Sequence, residues 1–258
     1  MLIVLSPAKS LDFEKKAPVA TMTEPLLLDQ AELLIRRMRE VSALELQQLM
    51  AISPALAALN VQRFQDWQVQ PDQARIKQAV FAFNGDVYDG LSAASLPAAR
   101  MDYLQSHVRI LSGLYGVLQP FDALQPYRLE MGTALQNVRG RNLYAFWGDR
   151  VSQQINHQLA QLKLKTVLNL ASEEYFKVIK NKALDADVLT PVFQDWKGGQ
   201  YKVISFFAKR ARGLMARYCV EHRVQDAIAL RGFDLDGYRF VEEESSPSRM
   251  LFRRKRDV

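Results

Sequence analysis

The sequence predicts a mixed α/β fold, α+β-like in character, in a single compact domain over residues 1–258. Short apolar runs typical of buried strands, such as Leu2 to Leu5 and Val167 to Leu170, are interleaved with segments whose apolar residues recur at helical spacing. No internal repeat, low-complexity tract or linker-like gap divides the chain. Interleaved strands and helices without a break favour one mixed body over two domains.

The composition indicates a basic globular protein of the cytoplasm. Of the 258 residues, 48% are hydrophobic, enough to bury one large core or two small ones. The formal net charge of +6 favours association with polyanions, although many basic proteins bind no nucleic acid. Cys219 is the only cysteine, which excludes an intramolecular disulfide and fits a reducing compartment. Because no apolar run approaches the roughly 20 residues of a membrane span, no membrane association is expected.

The first strand, Leu2 to Leu5, ends in the sequence Ser6-Pro7-Ala8-Lys9. Ser6 and Lys9 have the S-x-x-K spacing of Ser/Lys acyl enzymes, but the partner motifs of those enzymes are absent. Two other interpretations stay open. The segment is a strand-to-loop turn with Lys9 solvated or paired, or Lys9 projects into a cleft and contacts phosphate. A surface loop over residues 14–25 then leads into a helix with a basic outer side.

A helix-hairpin-helix-like element is predicted over about residues 43–66. An S-x-x-E capping box begins its first helix, and Ser53 is a good N-cap for the second. In a helix-hairpin-helix, backbone N–H groups of the hairpin hold a phosphate, which assigns backbone contacts here to Ile52, Ser53 and Arg63. An ordinary helical corner packed by Ile52 fits the same spacing.

The remaining elements follow from apolar runs and turn residues. The predicted strands are Phe81 to Phe83, Val108 to Leu111, Val167 to Leu170, Val188 to Phe193 and Tyr238 to Val241. The predicted helices are Leu91 to Gln105 and Leu143 to Leu162. Turns are predicted at Asn84-Gly85 and at Lys197-Gly198-Gly199, and a basic tail at Arg253 to Arg256.

The segment Leu111 to Gly132 has glycines and prolines spaced as in a structured loop. Its Gly113-x-x-Gly116 has the length of a nucleic-acid backbone clamp, or serves turn geometry alone. Tyr115 and Tyr127, the latter beside Arg128, either stack on a nucleotide or pack with exposed polar tips.

The stretch Tyr201 to Tyr218 opens as a strand and continues as a helix with one apolar stripe. The opposite face of the helix is basic, with Gly213 as a low spot where a phosphate backbone approaches closely. This face is either a solvated surface or an anion-binding one. The basic residues assigned to it are Lys209, Arg210, Arg212 and Arg217.

No metal or cofactor is predicted. His107, His157 and His222 are far apart in the sequence, and no group of residues has the ligand spacing of a zinc or iron–sulfur site. Iron binding through the carboxylates of Glu173 and Glu174 is the alternative left open.

Seven segments resemble the YaaA family of peroxide stress resistance proteins, nearly from end to end. They are LIVLSPAKSLDF (2–13), LMAISPALAALNVQRFQDW (49–67), FNGDVYDGL (83–91), LSGLYGVLQPFDALQPYRLEMG (111–132), LYAFWGD (143–149), NLASEEYFK (169–177) and ISFFAKRARGLMARY (204–218).

This resemblance implies a bacterial protein that protects DNA during hydrogen peroxide stress by limiting unincorporated iron and Fenton damage. It also implies binding to double-stranded and branched DNA, with a link to recombinational repair. The implied fold matches no standard superfold and has a basic cleft and a helix-hairpin-helix. That hairpin maps to Leu49 to Phe64, where Ala51 and Ser53 replace the usual glycines.

Two functions are therefore predicted. The first is DNA binding through phosphates with little sequence preference, by Lys9 and the basic helix at one point and by the hairpin at another. The second is an enzyme, of unspecified reaction, that acts on a small anionic or nucleotide-like substrate. The second requires the polar turn residues to converge in one pocket, with Glu130 or Asp86 near Lys9. These residues are Ser6, Asn84, Asp86, Ser112, Tyr115, Tyr127, Arg128, Glu130, Asn169, Ser172 and Tyr175.

Overall fold

A computed structural model describes residues 1–255, so Arg256, the last residue of the predicted basic tail, lies outside the described residues. The strands are β1 Leu2–Leu5, β2 Ser10–Leu11, β3 Lys77–Gln78, β4 Phe83–Asn84, β5 Val108–Ser112, β6 Gly116–Leu118, β7 Ala123–Leu124, β8 Thr166–Leu170, β9 Asp187–Lys197, β10 Gln200–Lys202, β11 Arg239–Ser246 and β12 Arg249–Arg254. The helices are α1 Leu28–Arg39, α2 Ala43–Met50, α3 Pro54–Asp66, α4 Ala79–Ala82, α5 Asp86–Leu91, α6 Met101–His107, α7 Leu143–Trp147, α8 Arg150–Leu162, α9 Glu173–Phe176 and α10 Ser205–His222.

One mixed sheet organises the described residues. Its strand order is β11-β12-β9-β8-β1-β5-β6, and β10 pairs with β9. The five central strands, β12, β9, β8, β1 and β5, are parallel to one another, whereas β11, β10 and β6 pair antiparallel with β12, β9 and β5. The chain leaves β1 for β5 on one side and later returns as β8 on the other. The mixed α/β fold predicted from the sequence is confirmed.

β1 lies at the centre because every residue of the run Leu2 to Leu5 is buried. Parallel strands covered on both faces read as continuous apolar runs, and β1 has that pattern. The hydrophobic core built around it extends from Met1 to Phe252 without division. A single core over this range accords with one compact body.

Helices α2 and α3, called the helical hairpin below, contact each other in the segment where the helix-hairpin-helix-like element is predicted. Its identity as a helix-hairpin-helix stays a prediction. Ser42 makes the capping box with Glu45, and the Ser53 side chain accepts a hydrogen bond from the Leu56 amide. Between the helices, Ala51 takes the left-handed conformation with φ of 50°. These caps are local interactions, which is why the sequence pattern predicted both helix starts.

Three other predicted elements are wrong in part. Leu143 to Leu162 is two helices because Gly148, with φ of 52°, breaks the chain direction between α7 and α8. Leu91 to Gln105 is mostly short 3-10 turns before α6, and Phe81 belongs to the helical turn α4 rather than to a strand.

The predicted basic tail is also wrong, because its first two residues belong to strand β12. Arg254 is buried, with 3% relative exposure, and its Nε donates to Asp195 at 2.6 Å. The Tyr238 hydroxyl donates to the other oxygen of Asp195 at 2.9 Å, and Arg254 also pairs with Asp236. This network fixes β12 to β9 inside the sheet, where hydrophobicity alone would exclude an arginine.

Candidate anion-binding cleft

A cleft of about 430 Å³ opens at the carboxyl ends of β1 and β8. These strands are adjacent and parallel, with Leu5 opposite Leu170, so the residues that follow them meet at one sheet edge. The chain runs from β1 to β5 on one side of β1 and later returns as β8 on its other side, so the strand order changes direction at β1. Open α/β sheets usually bind ligands at such a point. Its lining residues are Ser6, Pro7, Ala8, Lys9, Ser10, Asn84, Gly85, Asp86, Val87, Tyr88, Ser172, Glu174, Tyr175, Lys209 and Arg212.

Two serines form the floor of the cleft. The Ser172 amide donates to Ser6 Oγ at 2.8 Å, and the Ser6 hydroxyl donates to Ser172 Oγ at 3.3 Å. The Tyr88 hydroxyl donates to the Ser6 carbonyl at 3.0 Å, and burial raises the pKa of Tyr88. Although Ser172 is the N-cap of α9, its side chain does not cap that helix. Within the described chain its hydroxyl proton is therefore available to a ligand.

Arg212 is the residue of the cleft with the least ordinary environment. Burial lowers the pKa of its guanidinium, yet no hydrogen-bond or ion-pair partner for it exists within residues 1–255. Because Arg212 is half-buried and its N–H donors have no partner among the described residues, it can bind an anionic group that enters the cleft. Lys209, one turn earlier on α10, is exposed and is likewise without a partner among the described residues.

Lys9 is neither isolated nor catalytically paired with a serine. Its Nζ lies 2.9 Å from Glu130 Oε2, and Arg128 binds the other oxygen of Glu130 at 2.9 Å. The Lys9 side chain is 65% exposed, so the pair contributes little to stability and can open to a ligand. The predicted requirement of a carboxylate near Lys9 is met by Glu130.

The cleft is of mixed charge. Asp86 and Glu174 face the same space as Lys9, Lys209 and Arg212. The Glu174 carboxylate is fixed in place by the Gly132 amide, which donates to it at 2.9 Å. The three cations exceed the two carboxylates by one, so the cleft suits an anion that also carries hydrogen-bond donors.

Gly213 is not a low spot for phosphate, because helix α5 occupies the space in front of it. An ideal Cβ on Gly213 would lie 1.9 Å from the Val87 carbonyl oxygen, and one on Gly90 would lie 2.3 Å from the Arg210 carbonyl oxygen. The two glycines let the backbones of α5 and α10 cross in direct contact. The predicted open surface at Gly213 is wrong.

The other two arginines of the basic helix are outside the cleft. Arg217 donates to the Leu91 and Ser92 carbonyls at 3.2 Å and pairs with Glu221 at 2.7 Å, so it joins α10 to the segment after α5. Its charge is already paired with Glu221, and its phosphate contact stays a prediction. Arg210 is half-buried and does not line the cleft.

Four of the predicted polar residues are internal rather than in the cleft. The hydroxyls of Ser112 and Tyr127 are 2.6 Å apart, and Tyr115 receives a hydrogen bond from Trp67 Nε1 at 2.9 Å. Burial raises the pKa of Tyr115 to about 12, and both tyrosines are buried, so neither stacks on a nucleotide. Asn169 serves a turn, because its Oδ1 accepts from the Ala171 amide at 3.0 Å.

The remaining predicted residues do converge. Ser6, Lys9, Asn84, Asp86, Ser172 and Tyr175 line the cleft, while Arg128 and Glu130 reach it through Lys9. Sequence reasoning missed Tyr88 and Glu174 as cleft residues. Glu174 was accessible to prediction, since it lies two residues after Ser172, whereas Tyr88 gave no local signal.

The helical hairpin gives a mixed result for phosphate contacts. Ile52 is buried and its amide already donates to the Gln47 carbonyl at 3.2 Å, so the predicted backbone contact by Ile52 is wrong. Ser53 is exposed. Arg63 lies ten residues further along α3, about 15 Å away at the helical rise, so these residues do not form one site. Any DNA-binding role of the hairpin stays a prediction.

Within the described residues, no group of three or more His, Cys, Asp or Glu side chains is arranged to hold a metal ion. Over the same residues, no helix is both long enough and apolar enough to cross a membrane.

Comparison with known proteins decides the family. The sequence model of the family described as "Peroxide stress protein YaaA" matches residues 1–244. The chain belongs to the YaaA family. A UPF0246 protein of Cupriavidus metallidurans is 56% identical over 258 residues, covering 99% of both chains. UPF0246 proteins of Burkholderia multivorans and Burkholderia vietnamiensis are 55% and 54% identical over 257 residues, each covering 99% of both chains. The resemblance to the YaaA family predicted from the sequence is confirmed.

Proposed function

We propose that this YaaA-family chain is a cytoplasmic protein of the peroxide stress response that binds DNA through its phosphates and protects it from Fenton damage. The observation that supports the proposal is Arg212. A half-buried guanidinium that has no partner among residues 1–255 and shares the cleft with the exposed cation Lys209 can donate to a phosphate oxygen.

The geometry favours recognition of the backbone over recognition of sequence. A cleft of about 430 Å³ can hold phosphate groups but is too small for a DNA duplex, which has to lie across its opening. Lys9 and Lys209 at the rim are exposed and can follow neighbouring phosphates. None of these side chains belongs to an element shaped to enter a groove and read base edges, so little sequence preference is expected.

The test is the affinity of a labelled duplex measured against salt concentration. Each neutralised phosphate adds about 0.9 to the slope of log affinity against log salt. Arg212→Gln and Lys209→Gln should each lower the slope by about one. Arg36→Gln is the matched control, because Arg36 is exposed on α1 and pairs with Glu32. A slope near zero in the parent protein, or equal slopes in all four proteins, contradicts the proposal.

Protection from Fenton chemistry needs its own assay. A supercoiled plasmid treated with ferrous iron and hydrogen peroxide should be nicked more slowly when the protein is bound, and Arg212→Gln should lose this effect. Protection that survives in Arg212→Gln would separate iron chemistry from DNA binding at the cleft.

A second function is favoured by the convergence of Ser6, Ser172 and the Lys9–Glu130 pair in one cleft. A DNA clamp needs no fixed serine pair, whereas an enzyme acting on a small anionic or nucleotide-like substrate does use such groups. Calorimetry with inorganic pyrophosphate tests it. Binding that is lost in Arg212→Gln and in Ser172→Ala, but not in Arg36→Gln, supports this function. No heat of binding in the parent protein excludes it for this probe.

A further inference from the structure

A second cavity, of about 280 Å³, lies beside the carboxyl end of α3 and shares no lining residue with the cleft. Its walls are largely apolar and include Phe13, Trp67 and Pro126. Two arginines, Arg63 and Arg75, border it. A concave, mostly apolar slot with a few polar groups at its edge is the usual form of a small-molecule site.

The walls of this aromatic slot (Phe13, Trp67, Gln125 and Pro126) are held in place from behind. Trp67 Nε1 donates to the buried Tyr115 hydroxyl at 2.9 Å, which fixes the indole. The Gln125 side chain accepts from the Gln68 amide at 3.0 Å and donates to the Gln68 carbonyl at 2.7 Å. A slot fixed in this way loses little entropy on binding a ligand.

Phe13 forms a further wall of the slot, and the residue before it is anchored. Lys77 Nζ donates to the Asp12 carbonyl at 2.7 Å, which anchors the residue before Phe13. Phe13 itself is only partly buried, so its ring is available to a ligand.

Arg63 has unused hydrogen-bonding capacity at the slot. A guanidinium carries five N–H donors, but in the described chain the only acceptor for Arg63 is Asn60 Oδ1, at 3.4 Å. Burial lowers the pKa of Arg63. Arg75, which also borders the slot, is exposed and unpaired within residues 1–255. Asp66 also borders the slot, and its carboxylate accepts from the Gln62 amide group at 2.8 Å.

We propose that the aromatic slot binds a planar aromatic ring that carries an anionic group. The ring packs against the partly exposed Phe13 and Pro126, beside the edge of the buried Trp67, and the anionic group accepts hydrogen bonds from Arg63 and Arg75. Asp66 repels a second anion and accepts from an amino group on the ring. The ring belongs either to a free small molecule or to an unpaired nucleotide of a nucleic-acid strand. The site is independent of the cleft and goes beyond the DNA phosphate contacts proposed above.

Tryptophan fluorescence tests the proposal with AMP and with a short single-stranded oligonucleotide as probes. All proteins in this assay carry Trp196→Phe, which removes the exposed tryptophan. The two tryptophans that remain, Trp67 at the slot and Trp147, are both buried. AMP, the oligonucleotide or both should quench the emission saturably. Hydrogen bonds to a charged group contribute more to the free energy of binding than neutral ones do, so Arg63→Gln should weaken binding about tenfold or more. Phe13→Ala should weaken it independently, and Arg36→Gln should not.

The cleft variant Arg212→Gln separates the two sites. Binding that is kept in Arg212→Gln and lost in Arg63→Gln supports the slot, whether or not duplex binding by the cleft succeeds. Quenching by AMP alone assigns the ring to a free small molecule, and quenching by the oligonucleotide alone assigns it to a nucleic-acid strand. Absence of saturable quenching by both probes, or binding that follows Arg212 instead of Arg63, overturns the proposal.

Discussion

The crossing of α5 and α10 predicts an unusual response to the substitution Gly213→Ala. In an exposed helix interior, replacement of glycine by alanine stabilises by about 0.8–1 kcal/mol. Here the new Cβ would lie 1.9 Å from the Val87 carbonyl oxygen and 2.8 Å from the Leu91 amide nitrogen. Both neighbours are backbone atoms, which cannot rotate away as a side chain does.

The size of the effect follows from those distances. Ordinary contact at a Cβ begins near 3.4 Å, so α5 and α10 have to separate by roughly 1.5 Å. Overpacking of a close-packed core costs about 1–3 kcal/mol, and the upper end applies because the clash is with backbone. After subtraction of the gain in helix propensity, the free energy of unfolding should fall by about 2 kcal/mol.

Urea denaturation of Gly213→Ala measures this change directly, with Gly232→Ala as the matched control. A Cβ at Gly232 would meet only the terminal oxygen of the Tyr218 side chain, at 2.9 Å, and that side chain can move. Since Asp86 and Val87 of α5 face Arg212 across the cleft, ligand binding should weaken as well. A Gly213→Ala protein that equals or exceeds the parent in stability would refute the described helix contact.

Three further predictions concern charges. Asp195→Ala leaves the buried Arg254 with one of its carboxylate partners removed and should lower the free energy of unfolding by about 3–5 kcal/mol in urea denaturation. Glu130→Gln should raise duplex affinity, because it releases Lys9 and Arg128 from a competing carboxylate. His107→Phe should reduce the loss of stability between pH 6.5 and pH 4. Burial, with the nearby Met1 amine as the next cause, lowers the pKa of His107 to about 4, so the unfolded chain binds its proton first as the pH falls.

Each of these has an outcome that contradicts it. An Asp195→Ala protein of parental stability would exclude a buried ionic network around β12. Unchanged or weaker duplex binding by Glu130→Gln would show that Lys9 does not contact DNA. The His107 prediction concerns the difference between the pH profiles of parent and variant, because Asp122 affects both profiles in the same range. Burial raises the pKa of Asp122 to about 6, so its contribution to the free energy of unfolding is lost as the pH rises from 4 to 6. Equal pH profiles of parent and His107→Phe would contradict the assignment.

The helical hairpin shows what a sequence can specify without tertiary information. The capping box at Ser42 and the N-cap Ser53 depend on atoms three residues away, and the structure has both. β1 was equally predictable, because an uninterrupted apolar run has few alternatives to a buried strand. Elements set by local interactions were therefore predicted close to their observed bounds.

The cleft depends on neighbours that are distant in the sequence. Ser6 and Ser172 touch only because β1 and β8 are adjacent, and strand order leaves no local trace. At Gly213 the basic neighbours predict an open face, whereas in the structure the backbone of α5 covers it. Arg254 looked like a tail residue because its partner Asp195 lies on another strand. In each case the missing information was the identity of the neighbour across space.

The position of β12 between β9 and β11 has a consequence for folding during synthesis. Until residues 249–254 have emerged from the ribosome, one edge of β9 lacks its parallel partner, and the side chains of Met250 and Phe252 are missing from the core. The nascent chain therefore carries an unpaired strand edge until β12 has been synthesised. A ribosome that pauses after β9 and before β12 should yield more aggregated product than one that pauses within the helical hairpin, before β9 is made.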